Sequence, residues 1–134
     1  MLKQISIYAE NKKGTLERIT KILLDEGINI LGSMTEDGAD FGVNRMIVSD
    51  PDRAGEALKE AGYLVSVKDV VGVEVEDKVG NLNMLLQALR DMNVNVNYLY
   101  LSFNRKSGLP IMVFCTDDVF EVENSIRDRG FHTL

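Results

Sequence analysis

Two short stretches of this chain place a glycine and polar residues at a spacing that suits the binding of a small charged molecule. The first is residues 10–16, which contains Asn11, Lys13, Gly14 and Thr15. Glycine lets the backbone turn sharply, and Thr15 or Asn11 can satisfy free N–H groups at a helix start. Amide hydrogens there, backed by the positive end of a helix, suit a carboxylate or a phosphate. An ordinary strand-to-helix turn needs the same residues, so the motif alone does not separate binding from structure.

The second stretch, residues 76–82, repeats the first with Gly80 in the place of Gly14, 66 positions later. At this offset residues 5–48 and 71–114 share nine identities in 44 positions without a gap. Unrelated segments would share about two or three. The identical pairs are Glu10/Glu76, Lys12/Lys78, Gly14/Gly80, Leu16/Leu82, Leu23/Leu89, Asp25/Asp91, Asn29/Asn95, Gly42/Gly108 and Met46/Met112. The sequence is therefore predicted to be a tandem duplication.

The elements that must position these turns follow the same order in both copies. Period-two and helical patterns predict strands over 2–10, 28–34, 43–49 and 63–67 and helices over about 15–26 and after Pro51. The second copy repeats this order, with predicted strands over 70–76, 94–101, 109–115 and 131–134. Its helices are predicted from Asn81 and over about 117–129, and Asp117 and Asp118 are predicted to cap the second of them. Hairpin loops are predicted at 36–40 and 104–108. This strand-helix-strand-strand-helix-strand order is the split βαβ arrangement, with both helices on one face of a four-stranded antiparallel sheet.

The predicted fold class is thus α+β, with two ferredoxin-like βαββαβ repeats as domains 1–67 and 68–134. Domains this small bury a modest core, and residues 65–75 are apolar with no linker composition. We therefore expect the two repeats to pack side by side.

Composition excludes several classes of function. Fifteen basic against 21 acidic residues give a net charge of −6, which disfavours nucleic acid and anionic membranes. The single cysteine, Cys115, allows neither an intrachain disulfide nor a cysteine-based zinc site, and its apolar surroundings predict a core position. No membrane-spanning run and no signal-peptide core occur, so a soluble, cytoplasmic protein is expected.

An enzyme would need catalytic groups, and the sequence offers few. His132, the one histidine, stands close to the carboxyl end and has no nucleophile at a motif spacing. No metal-binding motif appears, so no catalytic residue, metal or cofactor is predicted. An RNA-binding interpretation of the same architecture would use Tyr98, Tyr100 and Phe103, but the net charge opposes it.

The chain resembles the ACT domain, a regulatory ligand-binding module attached to many enzymes of amino-acid metabolism. The resemblance covers essentially the whole chain twice and rests on element order, repeat length and two motifs. The motifs are Asn11-x-x-Gly14-Thr15-Leu16 with Asp77-x-x-Gly80-Asn81-Leu82, and Gly27-Ile28-Asn29-Ile30 with Asn93-Val94-Asn95-Val96. The chain departs from the family in having Lys13 and Val79 where proline is frequent. No attached enzyme domain is expected.

The resemblance implies an amino-acid ligand near the strand-to-helix turns, where paired ACT domains meet. The implied ligand-binding residues are Asn11, Lys13, Gly14, Thr15, Leu16, Asn29, Ile30, Asp77, Val79, Gly80, Asn81, Leu82 and Asn95. Turn amides would take the ligand carboxylate, and Asp77, or Asn11 more weakly, would take its ammonium. Asn29 and Asn95 either reach the ligand or tie the turn down locally. Because the polar residues of the two turns differ, we expect one ligand shared across the interface or two bound with unequal affinity.

The function expected from this resemblance is a regulatory sensor that binds an amino acid and modulates a partner enzyme. The alternative is an interaction module without a small ligand. Self-association, as a dimer, is expected because the apolar run Tyr98, Leu99, Tyr100, Leu101 and Phe103 lies on a sheet with helices on one face only.

Overall fold

The fold is α+β, with four helices and seven antiparallel strands in the part of the chain that the structure describes. The structure is a computed structural model that describes residues 1–38 and 40–134; residue 39, in the predicted first hairpin loop, lies outside the described residues. The elements are β1 Leu2–Ala9, α1 Thr15–Asp25, β2 Ile30–Glu36, β3 Gly42–Val48, α2 Pro51–Glu60, β4 Leu64–Glu74, α3 Asn81–Asp91, β5 Tyr98–Phe103, β6 Pro110–Cys115, α4 Val119–Asp128 and β7 His132–Thr133.

The chain divides into two compact units. The first unit is Lys3–Lys68, and the second is Asp69–Leu134 together with Met1–Leu2. Their side-by-side packing and the division of the chain at residue 67 stay predictions.

In the first unit β3 pairs antiparallel with both β1 and β2, and Met46 lies opposite Ile5 on one side and Ser33 on the other. The amphipathic helices α1 and α2 place their apolar stripes on the same sheet face, because both contribute to one buried cluster. Asp50 caps α2 by accepting the N–H of Arg53 at 3.2 Å, and Pro51 occupies the first turn.

In the second unit β6 pairs antiparallel with β4 and β5, and β7 pairs with β4. Helices α3 and α4 again share one buried cluster with the sheet. Asp118 caps α4 by accepting the N–H of Glu121 at 3.1 Å, so the capping role predicted for this acidic pair is confirmed for Asp118.

The cores of the two units use equivalent positions. Buried pairs at an offset of 66, or of 68 after the two-residue insertion, are Ile5/Val71, Ile7/Val73, Ile19/Leu85, Leu23/Leu89, Met46/Met112, Val48/Phe114, Ala54/Val122 and Leu58/Ile126. The repeat found in the sequence therefore corresponds to equivalent core packing in the two units. This packing positions the two turns in the same way within their own units.

The element boundaries differ most from prediction at β4 and at the second strand of each unit. The strands predicted over 63–67 and 70–76 form one continuous strand, β4, because the backbone stays extended through residues 68 and 69 between them. The second strand of each unit starts later than predicted, at Ile30 and Tyr98, because the preceding residues continue the helix end. The N–H of Ile28 donates to the carbonyl of Leu23, and the N–H of Val94 donates to the carbonyl of Leu89, both at 2.9 Å.

The face of β1 opposite the core cluster is also buried, although the sequence placed polar residues there. Gln4 and Ser6 are almost fully inaccessible, and Gln4 Nε2 donates to Ser6 Oγ at 3.0 Å. Burial of polar groups is tolerated when they are hydrogen-bonded. Among the described residues, no helix is long and apolar enough to cross a membrane.

Candidate functional site

The first turn connects β1 to α1 through Gly14, whose φ of 88° lies in the left-handed region that glycine adopts without strain. The expected capping by Thr15 or Asn11 is wrong: no side chain of the described residues caps this helix, and Thr15 is buried. The N–H of Thr15 donates to the carbonyl of Lys12 at 3.1 Å, so this amide is not available to a ligand. The N–H of Leu16 has no hydrogen-bond partner among the described residues.

The second turn has the same backbone conformation, with Gly80 at φ 88°. It differs in that the side chain of Asn81, the residue equivalent to Thr15, forms hydrogen bonds within the turn. Asn81 donates from Nδ2 to the carbonyl of Glu76 at 2.9 Å and accepts the N–H of Leu82 on Oδ1 at 2.6 Å. The amide equivalent to the free one of Leu16 is thus already occupied. The two turns differ in their readiness to take a carboxylate.

Both turns contain the same lysine–glutamate ion pair, but the charges of their other exposed side chains differ. Lys12 pairs with Glu10 at 2.6 Å, and Lys78 pairs with Glu76 at 3.1 Å. The remaining exposed charge is cationic in the first turn, at Lys13, and anionic in the second, at Asp77. The position equivalent to Lys13 is the fully exposed Val79.

The predicted asparagines make local contacts. The main chain of Asn29 exchanges hydrogen bonds with Ser49, through Asn29 N–H to Oγ and Ser49 N–H to the Asn29 carbonyl, both at 2.9 Å. Asn95 Nδ2 donates to Asn97 Oδ1 at 3.3 Å. Ile30 is half-buried against the core of the first unit. These contacts tie Asn29 to the residue after β3 and Asn95 to the residue before β5. The role of both asparagines in ligand binding stays a prediction.

A cavity lies beside each turn, and no sequence pattern had predicted either cavity. The first has a volume of about 260 Å³ and is lined by Tyr8, Ala9, Glu10, Lys12, Thr15, Arg18, Gly62 and Tyr63. The second has a volume of about 270 Å³ and is lined by Glu74, Val75, Glu76, Lys78, Asn81, Met84, Gly130, Phe131 and His132. Eight lining positions are equivalent between the two repeats. The signal that could have found them is the pairing of Gly62 with Gly130, which brings the segment after the last helix of each repeat into the comparison.

Glu74 is the charged group held most firmly in the second cavity. Its side chain is only 10% exposed; Oε1 accepts from Ser107 Oγ at 2.7 Å and Oε2 from Asn104 Nδ2 at 3.2 Å, with His132 Nε2 3.5 Å away. The hydrogen bond from Ser107, opposed by burial and assisted by the hydrogen bond from Asn104 and the electrostatic attraction of His132, lowers the pKa of Glu74 below its ordinary 4.5. The carboxylate is therefore ionised at neutral pH.

A further cavity of about 330 Å³ in the second unit includes Asn95, Asp117 and Asp118. No group of three or more potential metal ligands occurs among the residues described. What the arrangement offers chemically is recognition through amides, fixed charges and apolar walls.

Comparison with known proteins agrees with this geometry. The family model of the ACT domain pair matches residues 1–130, and the chain belongs to that family. This match confirms the resemblance found in the sequence. ACT domain pairs are typical of regulatory modules that bind small molecules.

Two solved structures illustrate the relationship. The protein BT0572 from Bacteroides thetaiotaomicron is 33% identical with a TM-score of 0.89, over 99% of this chain and 91% of that one. The regulatory subunit of aspartate kinase from Thermus thermophilus, in its ligand-free form, is 14% identical with a TM-score of 0.67, over 94% of this chain and 91% of that one, a likeness of fold alone. A search of curated protein sequences found no match.

Proposed function

We propose that this ACT domain pair is a regulatory sensor that binds an amino acid at its first turn and modulates a partner enzyme. The observation that carries the proposal is the N–H of Leu16, which lacks a hydrogen-bond partner among the described residues at the start of α1. An N–H at this position, reinforced by the helix dipole, suits a carboxylate. Lys13, exposed in the same turn, adds a positive charge.

The ammonium of the ligand needs an acceptor beside the carboxylate site. Asn11 is exposed three residues before Gly14 and offers its Oδ1 as a neutral acceptor. The second turn offers the stronger acceptor, Asp77, but its Leu82 amide is occupied and it has Val79 in place of the lysine. This division of polar groups supports unequal sites, with carboxylate binding favoured at the first turn and ammonium binding at the second.

A thermal-shift screen against each standard amino acid, followed by calorimetric titration of the strongest, tests the proposal. Ligand at a hundred times its dissociation constant stabilises a protein by about 2.7 kcal/mol. Lys13→Gln should weaken binding severalfold because a charged contact to the carboxylate is lost. Val79→Gln is the matched control at the equivalent position and should leave affinity unchanged. A protein that no amino acid stabilises would contradict the proposal.

The second candidate function, an interaction module without a small ligand, is favoured by apolar side chains on β5. Leu101 is 59% exposed and Phe103 is 51% exposed, whereas Tyr100 is buried and Leu99 packs on the core of its own unit. The apolar run predicted from the sequence is therefore reduced to two exposed side chains. Together with the guanidinium of Arg105, which lies 3.8 Å from the centre of the Phe103 ring, they suit an apolar surface of a protein partner.

A further inference from the structure

The two cavities beside the turns are the same feature of the fold with different chemistry. The lining positions correspond as Tyr8/Glu74, Ala9/Val75, Glu10/Glu76, Lys12/Lys78, Thr15/Asn81, Arg18/Met84, Gly62/Gly130 and Tyr63/Phe131. The ion pair between glutamate and lysine is kept in both. The larger changes are at three positions, where the first cavity has Tyr8, Arg18 and Tyr63.

Charge differs in sign once the kept ion pairs are set aside. In the first cavity the remaining charged side chain is Arg18. In the second it is Glu74, a carboxylate that accepts hydrogen bonds from the neutral donors Ser107 and Asn104. His132, which also lines this cavity, has its Nε2 3.5 Å from Glu74 Oε2. Neutral hydrogen-bond donors orient a carboxylate and do not cancel its charge. A nine-tenths buried anion therefore borders the second cavity, and a cationic ligand group would complement it.

The rest of the second cavity is suited to an apolar group. Val75, Met84 and Phe131 contribute to its wall where the first cavity has Ala9, Arg18 and Tyr63. An aromatic ring and a thioether also attract cations and rings at close range. A ligand with one positive charge and an apolar body satisfies both parts of the wall.

We propose that the cavity bordered by Glu74 is a binding site for a small organic cation, a primary amine that carries an apolar or aromatic group. The cation contacts the Glu74 carboxylate, and its apolar part contacts Met84 and Phe131. The equivalent cavity of the first repeat, with Arg18 in place of Met84, rejects such a cation by charge repulsion. This site is separate from the carboxylate site proposed at the first turn, so either can fail without the other.

The test uses the full chain and three probes of similar shape: benzylamine, benzyl alcohol and benzoate. Amide chemical shifts report which residues each probe approaches. We expect benzylamine to shift Asn81, Gly130 and Phe131, and the neutral and anionic probes to leave them unchanged. Equal binding of benzyl alcohol, or shifts confined to Gly62 and Tyr63 of the first cavity, would overturn the proposal.

Two substitutions address the charge directly. Glu74→Gln keeps an acceptor for Ser107 but removes the charge, and should weaken benzylamine at least about tenfold. Met84→Arg places in the second cavity the arginine that the first cavity has at the equivalent position. Met84 is half-exposed on a helix, so this variant tests the effect of charge on benzylamine binding without disturbing a buried network. Tyr8→Phe is the control in the first cavity and should change nothing. Unaltered benzylamine affinity in both Glu74→Gln and Met84→Arg would overturn the assignment.

The cation could belong to a free amine or to the side chain of a basic amino acid. Displacement of benzylamine by both cadaverine and L-lysine supports the site with either source. Displacement by cadaverine alone supports it and assigns it to amines without a carboxylate. Displacement by neither would overturn selection of the ligand by charge.

Discussion

Asn81 fastens the second turn to the end of the preceding strand by donating from its side-chain amide to the carbonyl oxygen of Glu76, at 2.9 Å. The same side chain accepts the N–H of Leu82. Its counterpart in the first turn, Thr15, makes no such contact in the described part of the chain. In the second turn the side chain of Asn81 therefore occupies the Leu82 amide, whereas in the first turn the Leu16 amide remains without a hydrogen-bond partner among the described residues.

Asn81→Ala should lower the free energy of unfolding by about 1 kcal/mol, because two local hydrogen bonds are lost. It should also speed hydrogen exchange at the Leu82 amide. Urea unfolding and amide exchange measure the two effects. Asn83→Ala is the control, since Asn83 Oδ1 only accepts from Gln87 on the exposed face of α3, at 2.9 Å. Equal losses in the two variants would show that the turn does not depend on Asn81.

The ends of α1 and α3 provide a second matched pair. Asn93 has φ 56°, and its equivalent in the first unit, Gly27, has φ 69°. Because glycine adopts this region without steric cost, Asn93→Gly should stabilise the protein by about 0.5–1 kcal/mol. Gly27→Asn should destabilise it by a similar amount. Thermal unfolding of both variants checks the prediction, and opposite signs are the expected result.

The hydrogen bond from Ser107 to Glu74 predicts a pH dependence of stability. A carboxyl whose pKa is lower in the folded protein contributes stability above its unfolded pKa, near 4.5, and that stability is lost as the pH falls through the lower folded value. Ser107→Ala should raise the pKa of Glu74 towards 4.5. Carboxyl carbon shifts of Glu74 during acidification measure this directly. Ser107→Thr keeps the hydroxyl and should titrate like the original protein.

The unequal turns predict unequal effects on ammonium recognition. Asp77→Ala should weaken ammonium binding at the second turn by more than Asn11→Ala weakens it at the first, because a charged hydrogen bond is roughly twice as strong as a neutral one. Calorimetric titration of the amino acid selected by thermal shift measures both variants. Two identical sites, both indifferent to Asp77→Ala, would return the turns to a purely structural role.

The exposed apolar pair on β5 predicts self-association. Leu101→Lys should shift the protein towards the 15.0 kDa monomer, because a charge in an apolar contact costs more than the contact gains. Light scattering at micromolar concentration measures the mass. Ser66→Lys, on an exposed position of β4, is the control. A monomer in the original protein would remove this prediction.

The fold was predictable because the hydrophobic patterns that define its elements are local and occur in both repeats. Alternation in β1 and the apolar spacing of α1 and α3 place the same core positions in both units, such as Ile19 and Leu85. Element ends were less predictable, because they depend on individual hydrogen bonds such as that from Val94 to Leu89. The continuous β4 was missed because adjacent strand patterns carry no sign of whether the chain bends between them.

The candidate site was predictable only in part. Glycines and charges of the turns lie within a few residues of one another, so their proximity follows from the sequence. The cavities are assembled from distant segments: Arg18 and Tyr63 line one cavity, and Glu74 and Phe131 line the other. Ser107, from a further segment, donates a hydrogen bond to Glu74. Tertiary folding brings these residues together, and no local pattern encodes the contact.

The correspondence of the two cavities makes each molecule its own internal reference. A probe added to the solution meets both cavities at one concentration, one ionic strength and one folded fraction. The ratio of its occupancies then depends on the lining residues alone, and errors in the amount of protein cancel. Exchange at three of the five positions that differ, Tyr8 with Glu74, Arg18 with Met84 and Tyr63 with Phe131, should invert that ratio within a single chain.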